Sequence, residues 1–270
     1  MKRIETLRDL QLAELRVLED VEAFCKSSRI RYFLCGGTLL GAARHGGFIP
    51  WDDDIDIGML RCDYERFIRE YRSDRFGVRE PAVHAGSFRP FAKVIDETTC
   101  IPSEPFPGEM TGVGIDVFPI DDVSNASFFP PTDSMLWKVV SSLLILRNLR
   151  LHAPSRNAAK TMAVFFGRSL RVFPNRILTG ILHRIAVRKS FGRPAFRGCV
   201  VWGYGKREIL PVDVFDEGGC LPFEGKLRPV MAGWQRYLES LYGDWTILPP
   251  EEKRVAPHHA EVFMKEPSDS

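Results

Sequence analysis

Between Asp133 and Glu208 the chain has no acidic residue at all, although that interval holds fifteen Lys and Arg. With an overall net charge of +2, the rest of the chain is therefore about −13. An acidic body carrying a basic, partly apolar insert points to an anionic partner for the insert. Long hydrophobic runs are missing too. No stretch reaches the roughly 18 apolar residues of a membrane span, so none is expected to cross a bilayer. The opening, MKRIETLRDLQLAELRVLEDVEAF, is charged throughout and lacks the apolar centre of a secretion signal. Six scattered cysteines include no CxxC pair, which reads as reduced core thiols rather than a disulfide framework. These absences predict a cytoplasmic protein. At 270 residues, 44% of them hydrophobic, it has enough apolar side chain to form a core without staples.

Apolar spacing (Leu7, Leu10, Leu15, Leu18, Val21) predicts an amphipathic helix over residues 5–27. RYFLC, residues 31–35, reads as a short strand broken by Gly36-Gly37, with Thr38 as N-cap of a helix that Gly46-Gly47 ends. A strand is expected over 54–59 and a helix over 64–72. Further strands are expected around Val83, over 92–95 and over 113–120. The period then changes to 3.6, predicting helices at 134–150, 157–172 and 174–190, with Pro174 in the first helical position. A strand at CVVWGY, a loop rich in Gly and Pro, and a final helix over 231–242 complete the chain. Three parts are expected: a core at 1–133, a basic helical insert at 134–207, and a return to the core at 208–270.

The densest chemistry lies in GGTLLGAARHGGFIPWDDDIDIG, residues 36–58, where Asp52, Asp53, Asp54 and Asp56 crowd together. A calcium loop of the EF-hand type needs Gly at its sixth and Glu at its twelfth position, and counting from Asp52 these are Ile57 and Asp63. That reading fails. A solvated turn leaves the alternating isoleucines unexplained. Strand side chains alternate faces, so Asp54 and Asp56 point one way and Ile55 and Ile57 the other. Asp52 has the same parity but sits at the strand's mouth, while Asp53 points away. Two such carboxylates suit a hard divalent cation, Mg²⁺ or Mn²⁺, that completes its shell with water and phosphate oxygens. Gly36-Gly37-Thr38 at a helix start offers N–H groups and a positive dipole end to phosphate. Asp116 in GIDVF, flanked by Ile115 and Val117, is the candidate third carboxylate; Asp121 and Asp122 are expected to cap a turn.

These residues carry a resemblance. GGTLLGAARHGGFIPWDDDIDIGM resembles the signature of the LicD family of phosphocholine transferases, which is similar to the core of the fukutin-related proteins. FAKVIDETT, GIDVFPID and YLESLYGDWTILPPEEK extend the likeness over most of the chain outside the insert. The resemblance implies an α+β, nucleotidyltransferase-type fold: a mixed sheet with flanking helices. It implies transfer of a phospho-alcohol, such as phosphocholine or a polyol phosphate, from a CDP-activated donor to a glycan or lipid-linked glycan. It assigns the metal and catalysis to Asp54, Asp56 and Asp116, and the donor phosphates to Gly36, Gly37 and Thr38.

Other candidates have two readings each. Arg44 and Lys93 are phosphate contacts or surface cations. Trp51 stacks on a base or cationic headgroup, or packs in the core. His258 and His259 reach the site, or belong to a solvated tail. The insert docks on an anionic membrane surface, guides a phosphorylated polymer or donor, or is an ordinary subdomain with a basic face. Two competing functions remain: a nucleotidyltransferase that releases pyrophosphate, and a non-catalytic scaffold at a membrane surface. Nucleic acid is disfavoured, because the insert lacks aromatic-interleaved polar patches.

Overall fold

Thr6 opens the first helix by local chemistry: its hydroxyl oxygen accepts from the Asp9 N–H at 3.1 Å and donates to the Asp9 carboxylate at 2.6 Å. The helix ends at Arg29, whose left-handed backbone (φ 53°) turns its N–H back onto the Cys25 and Lys26 carbonyls. The computed structural model describes residues 3–4, 6–82, 84, 87–102, 110–123, 135–148, 162, 169, 174–187, 194–202, 204–255 and 262–264. In chain order its elements are β1 (Arg3–Ile4), α1 (Leu7–Ser28), β2 (Phe33–Leu34), α2 (Gly36–His45), β3 (Asp56–Leu60), α3 (Arg61–Glu70), β4 (Phe76–Arg79), β5 (Ala92–Asp96), β6 (Thr99–Pro102), β7 (Met110–Thr111) and β8 (Gly114–Val123). There follow α4 (Met135–Asn148), α5 (Asn175–Ala186), β9 (Phe196–Gly198), β10 (Leu210–Pro211), β11 (Glu217–Phe223), β12 (Lys226–Met231), α6 (Trp234–Tyr242) and β13 (Val262–Met264).

The ten-residue β8 is the spine. It pairs in parallel with β3, antiparallel with β5 through its first half, and antiparallel with β9 through its last residues. Strands β2, β4 and β10 extend this mixed sheet of seven strands. A smaller sheet runs β1-β13-β6-β7, and β11-β12 form a hairpin. The fold is thus α+β, with helices flanking a mixed sheet. Alternation sets its core: Ile55, Ile57, Ile115 and Val117 are all 0% exposed, so their neighbours Asp56 and Asp116 take the opposite face.

Several expectations change. Thr38 does not cap α2. The cap lies three residues earlier, at Cys35, and the Thr38 hydroxyl instead accepts the Asp56 N–H at 2.7 Å. The strand expected over 54–59 starts only at Asp56, although the Asp116 N–H still reaches the Ile55 carbonyl at 2.8 Å. Cys199, Val200 and Val201 are buried as their apolar character demands, but they follow the strand at Phe196–Gly198 rather than form one. That strand joins the main sheet from within the interval 134–207. Asp121 and Asp122 lie in β8 rather than cap a turn, paired with Arg61 and Arg197 respectively, each at 2.7 Å. The Gly- and Pro-rich loop is a hairpin turning at Glu224-Gly225, both left-handed (φ 51° and 76°), as the twist of hairpin strands prefers. Its prolines are tolerated because a two-stranded ribbon has free edges. Pro174 precedes α5 rather than opening it, and α6 starts three residues later than expected. The expected strand at Val83 and most of the helix 157–172 fall outside the described residues. No helix among the described residues is long and apolar enough to cross a membrane.

The hairpin is tied to α1 through Arg228, which is 0% exposed. Its Nε stands 2.7 Å from Glu22, and its guanidinium also donates to the Phe223 carbonyl. Removing one partner of a buried pair strands the other, at a cost of about 3–5 kcal/mol. Glu22→Ala, which strands the fully buried Arg228 guanidinium, is therefore expected to lower urea-denaturation stability by about that much; a loss below about 1 kcal/mol would show that the hairpin does not depend on this pair.

Candidate active site

Three strands set the site. In the register of the sheet Asp56 on β3 faces Asp116 on β8, and Asp116 faces Lys93 on β5. The three side chains therefore form a row across one sheet face. The Lys93 ammonium stands 2.7 Å from Asp116 Oδ1. Asp56 is fixed by its backbone: its N–H goes to Thr38, and its carbonyl accepts the Cys35 N–H at 3.2 Å. The first turn of α2 is thereby held against the row.

This arrangement explains the glycine pair. Gly36 is left-handed (φ 53°), and a Cβ there would lie 2.5 Å from Asp56 Oδ2. A Cβ at Gly37 would lie 2.8 Å from Asp52 Oδ2. Two carboxylates thus crowd the positive end of a helix, which favours negative charge. Asp52, expected at the strand's mouth, belongs to the cluster. Its carbonyl is held from α1 by Gln11 Nε2 at 2.9 Å.

Behind the glycines lies a buried chain from the C-terminal part. The Gly36 N–H donates to the Tyr237 hydroxyl at 3.4 Å, and Tyr237 donates to Glu208 Oε1 at 3.1 Å. Glu208 also accepts the Tyr204 N–H at 2.8 Å, and burial raises its carboxyl to about 7. Tyr204 meets Tyr242 edge-on, with ring centroids 5.8 Å apart.

Like charge dominates the electrostatics. Burial first, then Asp54, Asp116 and Asp52, push the Asp56 carboxyl well above its usual range. Burial, then Asp54 and Asp53, raise Asp52 to about 7. Glu14, reaching in from α1, is pushed up by burial and then by Asp54. Burial works against the charge on Lys93, but Asp116 more than offsets it and its pKa rises.

The donor set is wholly carboxylate oxygen, the chemistry of Mg²⁺ and Mn²⁺. Among the described residues no three ligand-type side chains form a finished cage. Mg²⁺ needs none, since it takes one or two carboxylates and fills its shell with water and phosphate oxygens. The neighbouring Asp56 and Asp116, with Asp54 acting electrostatically on Asp56, fit that demand.

The other candidates separate. Lys93 joins the row. Arg44 donates to the Trp245 and Ile247 carbonyls at 3.3 and 3.5 Å and so ties the end of α2 to the turn after α6. Trp51 is half-buried against the core, with Arg254 5.7 Å above its ring. His258 and His259 lie outside the described residues. Sequence reasoning missed Glu14, Glu208, Tyr237 and Arg254. Only Glu14 left a signal, an acidic residue inside the helical stripe of leucines and valines.

Known proteins bear on this geometry. Residues 29–129 match a family model described as LicD/FKTN/FKRP, nucleotidyltransferase domain. The lipopolysaccharide cholinephosphotransferase LicD of Haemophilus influenzae is 30% identical across 98% of this chain and 100% of its own length. The human ribitol 5-phosphate transferase FKRP is 59% identical over 38 residues, which are 14% of this chain and 8% of that one.

Gly36→Ala tests the packing of the site. The left-handed backbone should cost about 1–2 kcal/mol in thermal or urea unfolding. Displacement of Asp56 should lower affinity for Mn²⁺ as read by calorimetry. Unchanged Mn²⁺ binding in a folded variant would count against the close approach of Gly36 and Asp56.

Proposed function

The chain belongs to the LicD family, and from that premise we propose that it is a metal-dependent transferase acting on a cell-surface glycan. It moves a phospho-alcohol from a CDP-activated donor to a sugar hydroxyl and releases CMP. Phosphocholine is the first alcohol to test, because the relative matched end to end is a cholinephosphotransferase. The observation that carries this reading is the in-register row Lys93–Asp116–Asp56, which falls wholly inside the segment matched by the family model.

A bound Mg²⁺ or Mn²⁺ supplies neutralisation of the charge on the donor's phosphate oxygens. Asp54, Asp56 and Asp116 are the residues that would hold it. Lys93 adds a positive charge near the row, and the start of α2 adds its dipole. The acceptor hydroxyl forms a new P–O bond to the transferred phosphorus while the bond to CMP breaks. Its proton goes to a carboxylate. With Asp54, Asp56 and Asp116 given to the cation, Asp52 is the carboxylate left to take it.

The insert has a place in this reading. Met135, Leu136 and Val139 on α4 and Ile177 on α5 are exposed apolar side chains within the interval that lacks acidic residues. Exposed apolar groups among basic ones suit an anionic membrane surface, where a lipid-linked glycan is presented.

Two measurements check these statements. CMP release should be seen from a panel of CDP-alcohols, should stop in EDTA, and should fall at least a hundredfold in Asp56→Asn and Asp116→Asn, about 3 kcal/mol of transition-state stabilisation. Pyrophosphate release from CTP instead would favour the nucleotidyltransferase alternative. Flotation with anionic liposomes at physiological salt should recover the protein; its absence from the floated fraction would remove the membrane role.

A further inference from the structure

An ionisable side chain in the packed stripe of a helix is costly unless something uses it. Helix α1 buries Leu10, Ala13, Val17, Leu18, Val21 and Cys25, and within that stripe stands Glu14, 4% exposed. Among the described residues its Oε2 has no hydrogen-bond partner. A leucine or methionine would serve the packing better. Helix α1 lies across β8 and β5, the strands that carry Asp116 and Lys93. The charges that act on Glu14 are those of the site: Asp54, Lys93, Asp53 and Asp116. Lys93 in turn feels Glu14.

Lys93 now sits on Asp116, one of the carboxylates a cation would need. An ammonium and a divalent cation on one carboxylate repel each other strongly at low dielectric. A displaced, largely buried ammonium needs another anion within reach, and Glu14 becomes one by releasing its proton to solvent as the ammonium approaches.

We propose that Glu14 is the alternate partner of Lys93: when a divalent cation takes the oxygens of Asp116, the ammonium turns to the unpartnered Oε2 of Glu14. The row is then free for the cation, and no buried ammonium is left unpaired. Glu14 is a positioning residue that acts through Lys93. The inference rests on reading the row as a cation site, but not on the identity of the donor or acceptor.

The test is Mn²⁺ binding to the full chain by calorimetry, without donor or acceptor. Wild type, Glu14→Gln, Lys93→Met and the double variant are compared, each checked for folding by circular dichroism. Glu14→Gln should weaken binding on the order of tenfold, the scale at which outer partners of a metal site act. In the Lys93→Met background the same substitution should have no effect, because no ammonium remains to be rehoused. Equal affinity in wild type and Glu14→Gln overturns the proposal. So does a tenfold loss that persists in the Lys93→Met background, which would make Glu14 a ligand or a structural residue. Should Glu14→Gln not fold, Glu14→Asp takes its place under the same criteria. A wild-type protein that binds no Mn²⁺ removes both this inference and the cation reading, whereas normal binding unaffected at Glu14 removes this inference alone.

Discussion

Negative charge gathered on one face of a sheet is the constraint from which most of this structure follows. Two unit charges 4 Å apart repel by about 4 kcal/mol at the effective dielectric of a protein surface, and here Asp52, Asp54, Asp56, Asp116 and Glu14 act on one another. The fold answers in three ways. Lys93 sits in register beside Asp116. The start of α2 turns its positive end toward Asp56 and Asp52. Raised pKa values let part of the cluster stay neutral. None of these removes the excess, and the cation of the proposed function would offset what remains.

Holding the charge demands backbone precision. Asp56 is gripped through its N–H by Thr38 and through its carbonyl by Cys35, so the strand and the helix start cannot drift apart. The same helix start is propped from behind by Tyr237 and Glu208, and its far end is tied by Glu224. That residue accepts the Phe48 N–H and the Arg8 guanidinium, and its own N–H reaches the Gly46 carbonyl. Residues far apart in the chain thus converge on ten residues of helix.

Local rules pointed to the acidic cluster, and tertiary register added what local rules do not encode. Although Asp54 lies before the strand, the likeness of Asp116 to Asp56 follows from strand alternation, which a sequence displays openly. Buried Ile55, Ile57, Ile115 and Val117 are its other half. The partnership of Lys93 with Asp116 depends on how β5 slides along β8, which no local pattern encodes. Thr38 looked like a cap because Ser and Thr favour that position, yet a left-handed Gly36 allowed the helix to start earlier. The hairpin escaped notice because Pro222 and Pro229 argue against strands and Glu224 is an unusual residue for a left-handed turn. Glu208 and Tyr237 carried no signal at all, since each is an ordinary residue until the C-terminal part folds back.

The buried chain from Gly36 through Tyr237 to Glu208 bears on how far this architecture can be dissected. The segment matched by the family model, residues 29–129, carries the acidic row yet omits Glu14 on one side and Glu208 and Tyr237 on the other. A chimera that transplanted that segment alone would move the acidic row without its scaffold. The natural unit of exchange is instead the whole wrap from α1 to α6, α5 included, since its His183 meets Arg61 and Glu80 and its Ala186 packs in the main core.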